Sequence, residues 1–202
     1  MSKEEKKKRE NEQIKILNNI INKKSHLEKL APMEKIKEYS YLLKELENNL
    51  KTFPEEDKNR NYYKEYLNEI ENINENMAEI YFKEKKYDKA VEIDKKIIKK
   101  NDKYHKSFKR LYQSYWALGD KEAAVIYGSF LLYRTDKSIK NKYYKDLVPE
   151  IEKNLHQIAR EFKNKSWLSE IKMTRGMWIR TVIFICCAIY LFYNFNDLKL
   201  LF

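Results

Sequence analysis

The sequence predicts an all-α protein from three observations. Glycine and proline are scarce, with 3 of each in 202 residues, so few positions interrupt a helix. Apolar side chains recur at steps of three and four along most of the chain, which is the spacing of one helix face. A unit with a repeat length of about 34 residues also occurs twice in tandem between positions 76 and 134. We therefore expect an antiparallel helix-turn-helix superhelix, a capping helix and a single C-terminal transmembrane helix.

Composition restricts the classes of function. The formal net charge is +11, from 42 Lys and Arg against 31 Asp and Glu, so anionic partners are favoured. No aromatic and basic motif typical of nucleic-acid binding is present, and we expect no such partner. The 2 cysteines, Cys186 and Cys187, are adjacent, which favours neither a disulfide framework nor a zinc site. Without a catalytic constellation or phosphate loop, we expect no enzyme activity, cofactor or metal.

The N-terminal quarter is predicted to contain a charged tail and two helices. Residues 1–11 are almost wholly charged and are expected to be disordered. They also lack the apolar core of a secretory signal, so synthesis in the cytosol is expected. Within residues 12–61, one helix is expected over 14–30 and another over 33–53. The second helix carries a heptad stripe that could pack within the chain or against a second copy.

The centre of the chain, residues 62–136, contains the two repeats. A helix is expected over about 62–84, and Tyr81 and Ala90 of the first copy correspond to Tyr115 and Ala124 of the second, one repeat length later. Short polar turns, at residues 85–86 and 119–120, separate the helices of each copy. The small alanines allow two helices to approach closely, and the aromatic side chains fill the space between units.

This pattern resembles the tetratricopeptide repeat (TPR). The family signature has an aromatic residue late in the first helix, glycine at the turn and alanine early in the second helix. The sequence departs from it at Lys85, which stands at the first turn, and in having no proline after either copy. The resemblance implies stacked helix pairs with a concave surface that binds peptides.

The resemblance also implies a binding site for a terminal carboxylate. Some TPR domains, including the TPR segment of immunophilin-type co-chaperones, hold the acidic C-terminal tails of heat-shock chaperones. Their pattern has an Asn, then an Arg one repeat length later, with a Lys one turn before that Arg. Asn76, Lys106 and Arg110 match this pattern, whereas the family's two other clamp residues have no secure match. The alternative is a solvated basic helix face.

The C-terminal third is predicted to contain a capping helix followed by a membrane-spanning helix. Residues 137–166 read as the capping helix, with Pro149 either bending it or beginning a new helix. A juxtamembrane stretch at 167–176 precedes the predicted transmembrane helix at 177–196, and residues 197–202 form a short distal tail. Trp178, Arg180 and Tyr193 would lie at the membrane interfaces. The alternatives are a buried core helix or a helix in the membrane plane.

The sequence therefore predicts a tail-anchored TPR adaptor with a cytosolic peptide-binding groove. Its expected partners are chaperones or other proteins with acidic C-terminal tails. Because basic residues precede the apolar segment, the large N-terminal part is expected in the cytosol. The membrane is either the endoplasmic reticulum or the mitochondrial outer membrane. In the second case a mitochondrial fission-type adaptor is the alternative function.

Overall fold

The computed structural model describes residues 3–100, 105–135, 137–138, 140, 144–165 and 180–184, and regular secondary structure in these ranges is entirely helical. The all-α prediction is confirmed for this part of the chain. Two compact units are present, Met1–Glu84 and Lys85–Phe202. Their boundary falls inside the range 62–136 predicted for the repeats. Each unit is described by itself.

The first unit contains three long helices. These are α1 (Lys3–His26), α2 (Pro32–Lys51) and α3 (Asn61–Lys83). Short 3₁₀ turns lie at Leu27–Lys29 and Glu55–Asp57. Pro32 is the first residue of α2, a position where the missing N–H is not needed for a helical hydrogen bond. The Glu34 side chain accepts a hydrogen bond from the Ala31 N–H, at 3.3 Å, and so fixes the start of the same helix.

The N-terminus differs from the prediction of disorder for residues 1–11, because α1 begins at Lys3. Contacts with the Glu55–Asp57 turn explain the difference. The Lys6 ammonium lies 2.9 Å from the Glu56 carboxylate, and Arg9 lies 2.6 Å from the buried carboxylate of Asp57. These ion pairs connect positions about 50 residues apart in sequence. The charged N-terminal segment is thereby ordered by long-range electrostatics that local composition does not reveal.

Tyr66 lies at the centre of the first unit's core. Its side chain is fully buried, and its ring meets the ring of Phe53 edge-on, with centroids 5.2 Å apart. Its hydroxyl lies 3.1 Å from the side-chain oxygen of Gln13 and donates to that residue of α1. Tyr66 thus connects α3 both to α1 and to the loop after α2. The apolar core of this unit comprises Leu17, Ile20, Leu27, Ile36, Tyr39, Leu42, Leu46, Phe53, Tyr62, Tyr66, Ile70, Ile73, Met77 and Ala78.

Alkaline pH should lower the stability of this unit between about pH 10 and pH 12. Burial raises the pKa of Tyr66 from 10.0 to about 12. Burial, together with a hydrogen bond to Asp57, raises the pKa of Tyr62 to about 12 as well. The stabilisation is complete below the unfolded pKa and is lost as pH rises through the folded pKa. Two pKa units correspond to roughly 2–3 kcal/mol per tyrosine. Urea denaturation of the full chain at successive pH values measures this loss.

Tyr66→Phe should make the alkaline loss of stability shallower, since phenylalanine has no proton to release. Tyr41→Phe is the matched control, because the Tyr41 side chain is 63% exposed and its substitution should leave the pH profile unchanged. Parallel profiles for wild type and Tyr66→Phe would contradict the assignment.

The second unit contains four longer helices in the described ranges. These are α4 (Tyr87–Lys100), α5 (His105–Leu118), α6 (Lys121–Ser129) and α7 (Val148–Lys165). α5 packs on both α4 and α6, and α7 packs on α6. The Lys121 ammonium, at the start of α6, lies 3.0 Å from the Glu161 carboxylate near the end of α7, so these two helices run antiparallel. Pro149 is the second residue of α7, which agrees with the alternative that it begins a new helix.

Two close contacts connect α5, α6 and α7. A Cβ atom added to Gly128 of α6 would lie 3.0 Å from Ile151 and 3.1 Å from Tyr112, so glycine allows a close approach here. The buried Asn154 amide of α7 donates to the Tyr112 hydroxyl at 2.8 Å. This hydrogen bond satisfies two buried polar groups. Burial raises the pKa of Tyr112.

The end of α6 changes to a π-helical turn at Phe130–Arg134. The Phe130 ring stacks on that of Phe108, with centroids 3.8 Å apart. A wider helical turn leaves carbonyl groups without their usual partners. The Lys140 ammonium donates to one of them, on Leu132, and the Thr135 hydroxyl donates to the Phe130 carbonyl at 3.4 Å. Tertiary partners therefore stabilise this turn.

Candidate peptide-binding site

The two predicted repeats have the same local geometry at their turns. Lys85 and Gly119, one repeat length apart, both adopt left-handed backbone conformations, with φ of 57° and 80°. α4 begins at Tyr87 and α6 at Lys121, which are separated by the same repeat length. Lys85 occupies the position of the expected turn glycine, and as a non-glycine residue it is uncommon in this region. The departure in sequence therefore does not change the turn.

The second helices also bury equivalent positions. The N–H of Ala90 donates to the Lys86 carbonyl and the N–H of Ala124 to the Asp120 carbonyl, both at 3.1 Å. Both alanines are completely buried, as their predicted packing role requires. Buried residues of α4 and their counterparts one repeat length later are Ala90 and Ala124, Val91 and Val125, Ile93 and Tyr127, Asp94 and Gly128, and Ile97 and Leu131.

The aromatic residues of the repeat pattern, Tyr81 and Tyr115, differ in burial. Tyr115 is 9% exposed, and its ring stacks on that of Tyr127, with centroids 5.5 Å apart. The Lys95 ammonium lies 5.6 Å from the centroid of the same ring, within the range of a cation–π contact. Tyr81 is half-buried in the first unit. The two tyrosines thus occupy equivalent sequence positions with different degrees of burial.

The predicted carboxylate site divides between the two units. Asn76 belongs to the first unit, whereas Lys106 and Arg110 belong to the second. Asn76 is half-buried on α3, and its amide nitrogen lies 3.3 Å from the side-chain oxygen of Asn72. Lys106 is exposed in the first turn of α5. Of the two predicted cations, Lys106 is therefore the one whose side chain reaches solvent.

Arg110 already binds a carboxylate of this chain. Its Nε donates to Asp94 Oδ2 at 3.1 Å and its Nη2 donates to Asp94 Oδ1 at 2.7 Å. The Arg110 side chain is 4% exposed and that of Asp94 is 0% exposed. Nη2 also lies 3.3 Å from the Ser107 hydroxyl, which accepts from it. This forked geometry is the strong form of an arginine–carboxylate interaction.

The buried Arg110–Asp94 pair connects α5 to α4. A terminal carboxylate could take Arg110 only by displacing Asp94, and that would break a buried ion pair, which is costly. The clamp hypothesis requires a cation that is exposed to the ligand. In the structure, Arg110 is instead buried in an ion pair with Asp94. One sequence signal could have indicated this. Asp94 lies within the apolar face of α4, among Ala90, Val91, Ile93 and Ile97.

The predicted membrane-interface residues fall mostly beyond the described ranges. Trp178 and Tyr193 lie outside them, and Arg180 is exposed. In the parts of the chain that the structure describes, no helix combines the length and apolar character needed to cross a membrane. Only residues 180–184 of the predicted segment 177–196 are among these parts. The transmembrane prediction therefore stays a prediction.

Comparison with known proteins found no matching family model, no matching curated protein and no matching solved structure. Among the described residues, no group of three His, Cys, Asp or Glu side chains is placed to hold a metal ion.

Proposed function

We propose that the chain is a TPR-like adaptor that binds proteins with acidic C-terminal tails at a membrane surface. The observation that carries the proposal is a recurrence at one repeat length, which relates the left-handed turn residues, the starts of the second helices and the buried alanines. A helix-turn-helix unit that recurs at this length is typical of repeat proteins that bind peptides.

The charge distribution supports an acidic ligand. The chain carries a net charge of +11, and Lys106 is exposed in the first turn of α5. The N-terminal end of a helix carries a partial positive charge, so a lysine there adds to an existing attraction for carboxylates. In this form of the hypothesis Lys106 contacts the ligand, and Arg110 fixes α5 against α4.

Lys106→Ala should weaken binding of an acidic peptide about tenfold, the equivalent of roughly 1.4 kcal/mol, because a charge-assisted hydrogen bond is lost. Calorimetric titration of the full chain with a short Glu-rich peptide ending in a free carboxylate measures this change. Lys37→Ala, at an exposed position of α2, removes the same charge from the first unit and is the control. Equal affinities for wild type and Lys106→Ala would exclude Lys106 from the site.

The membrane part of the proposal rests on residues 177–196. Sixteen consecutive residues between Arg180 and Asp197 are uncharged, which is close to the minimum length of a spanning helix. Trp178 and Tyr193 would mark the two interfaces. Imaging of an N-terminally tagged chain tests this part, since a diffuse cytosolic signal would exclude the anchor. Location on mitochondria would favour the fission-type adaptor over a chaperone adaptor on the endoplasmic reticulum.

A further inference from the structure

Part of the predicted membrane anchor lies in the core of the second unit. Residues 180–184 are helical, and Val182 is only 3% exposed. Val182 belongs to the same buried cluster as Leu155 and Ile158 of α7, and Ile183 packs against that cluster. Phe184, two residues after Val182, is 74% exposed. The start of the apolar segment therefore presents one face to the folded unit and another to solvent.

Val182 can lie either in the folded core of the second unit or in a lipid bilayer, but not in both. A side chain packed among the apolar residues of this core cannot at the same time face lipid in a spanning helix. Its removal from the core would either open a cavity or expose the neighbouring apolar groups to water. The stability of the second unit is thus linked to the position of the C-terminal segment.

We infer that the second unit holds the beginning of its own membrane anchor, through Val182 and Ile183, and releases it when the segment enters a bilayer. This inference rests on the anchor proposed above. The held form shields part of the apolar segment from water before a membrane is met. The inserted form loses Val182 from its core, so the helical unit is less stable on the membrane than in solution.

Substitutions at Val182 and Phe184 separate the two roles of the segment. The full chain is synthesised in a membrane-free translation mixture, and its resistance to a short protease pulse is measured against temperature. Val182→Asp should lower the unfolding midpoint of the second unit by at least roughly 5 °C, because a charge enters the core. Phe184→Asp also introduces an aspartate, but at an exposed position of the same helix, so it should leave the midpoint unchanged. Equal midpoints for all three chains would overturn the inference.

A milder substitution keeps the test informative if Val182→Asp does not fold. Val182→Ala removes apolar contacts without introducing a charge, and it should still lower the midpoint measurably. A wild-type midpoint for Val182→Ala, combined with failure of Val182→Asp to fold, would overturn the inference, since burial at this position would then contribute nothing measurable.

Addition of phosphatidylcholine vesicles distinguishes this inference from the anchor proposal. If the anchor proposal holds, the wild-type chain sediments with the vesicles, and both aspartate substitutions reduce this. The vesicle-bound wild type should then show a lowered midpoint close to that of Val182→Ala. A bound chain that keeps its full midpoint would overturn the release step. Failure of the wild type to sediment would overturn the anchor and the inference that depends on it, but it would not contradict the burial of Val182 in the folded unit.

Discussion

Replacement of Arg110 by alanine should lower the free energy of unfolding by about 3–5 kcal/mol. The Asp94 carboxylate is completely buried, and the substitution removes the guanidinium that binds it through Nη2 and Nε at 2.7 and 3.1 Å. Chemical denaturation of the full chain measures the loss. Lys96→Ala is the control, since Lys96 pairs with Glu92 at the surface and exposed pairs contribute about 0–1 kcal/mol.

The double variant Asp94→Leu with Arg110→Met should recover most of this stability. Both charges are then absent, and apolar side chains of similar volume fill the space between α4 and α5. A loss of under about 1 kcal/mol for Arg110→Ala would contradict the buried-pair geometry. It would also return Arg110 to consideration as a residue that contacts a ligand.

Tyr66→Ala should destabilise the first unit by about 3–5 kcal/mol. The substitution removes a completely buried ring, its edge-on contact with Phe53 and its hydrogen bond to Gln13. Tyr66→Phe keeps the ring and should cost only about 0.5–1.5 kcal/mol. Tyr41→Ala, at a largely exposed ring, is the matched control. Amide hydrogen exchange reports the change, which should appear in α1, α2 and α3.

Equal protection from exchange for Tyr66→Ala and Tyr41→Ala would contradict the central position assigned to Tyr66. The same measurement identifies the unit concerned. A loss of protection confined to α5, α6 and α7 would show that Tyr66 does not belong to the core of the first unit.

The helices were predictable from periodicity, but their buried faces were less so. α2 and α3 were expected at 33–53 and about 62–84, and they occupy Pro32–Lys51 and Asn61–Lys83. Where two apolar residues are adjacent, periodicity cannot choose between them. Leu42 is buried more deeply than its neighbour Leu43, and Ile20 is buried whereas its neighbour Ile21 is exposed. Contacts with neighbouring helices decide such cases.

The features that the sequence did not predict depend on partners distant along the chain. Disorder was expected for the first residues because their composition is charged, yet Arg9 pairs with Asp57. Arg110 was assigned to a ligand because its position fits a family pattern, yet its partner is Asp94 on the preceding helix. Local patterns predict the helices, whereas the pairing of charges depends on how the helices pack.

Recognition of an acidic C-terminus is tested most directly with two peptides that differ in one group. Both have the same Glu-rich sequence ending in Asp, one with a free terminal carboxylate and the other with that carboxylate converted to an amide. The full chain should bind the free acid at least about tenfold more tightly than the amide, and Lys106→Ala should reduce this difference. Equal binding of the two peptides, or binding of neither, would contradict the proposed function.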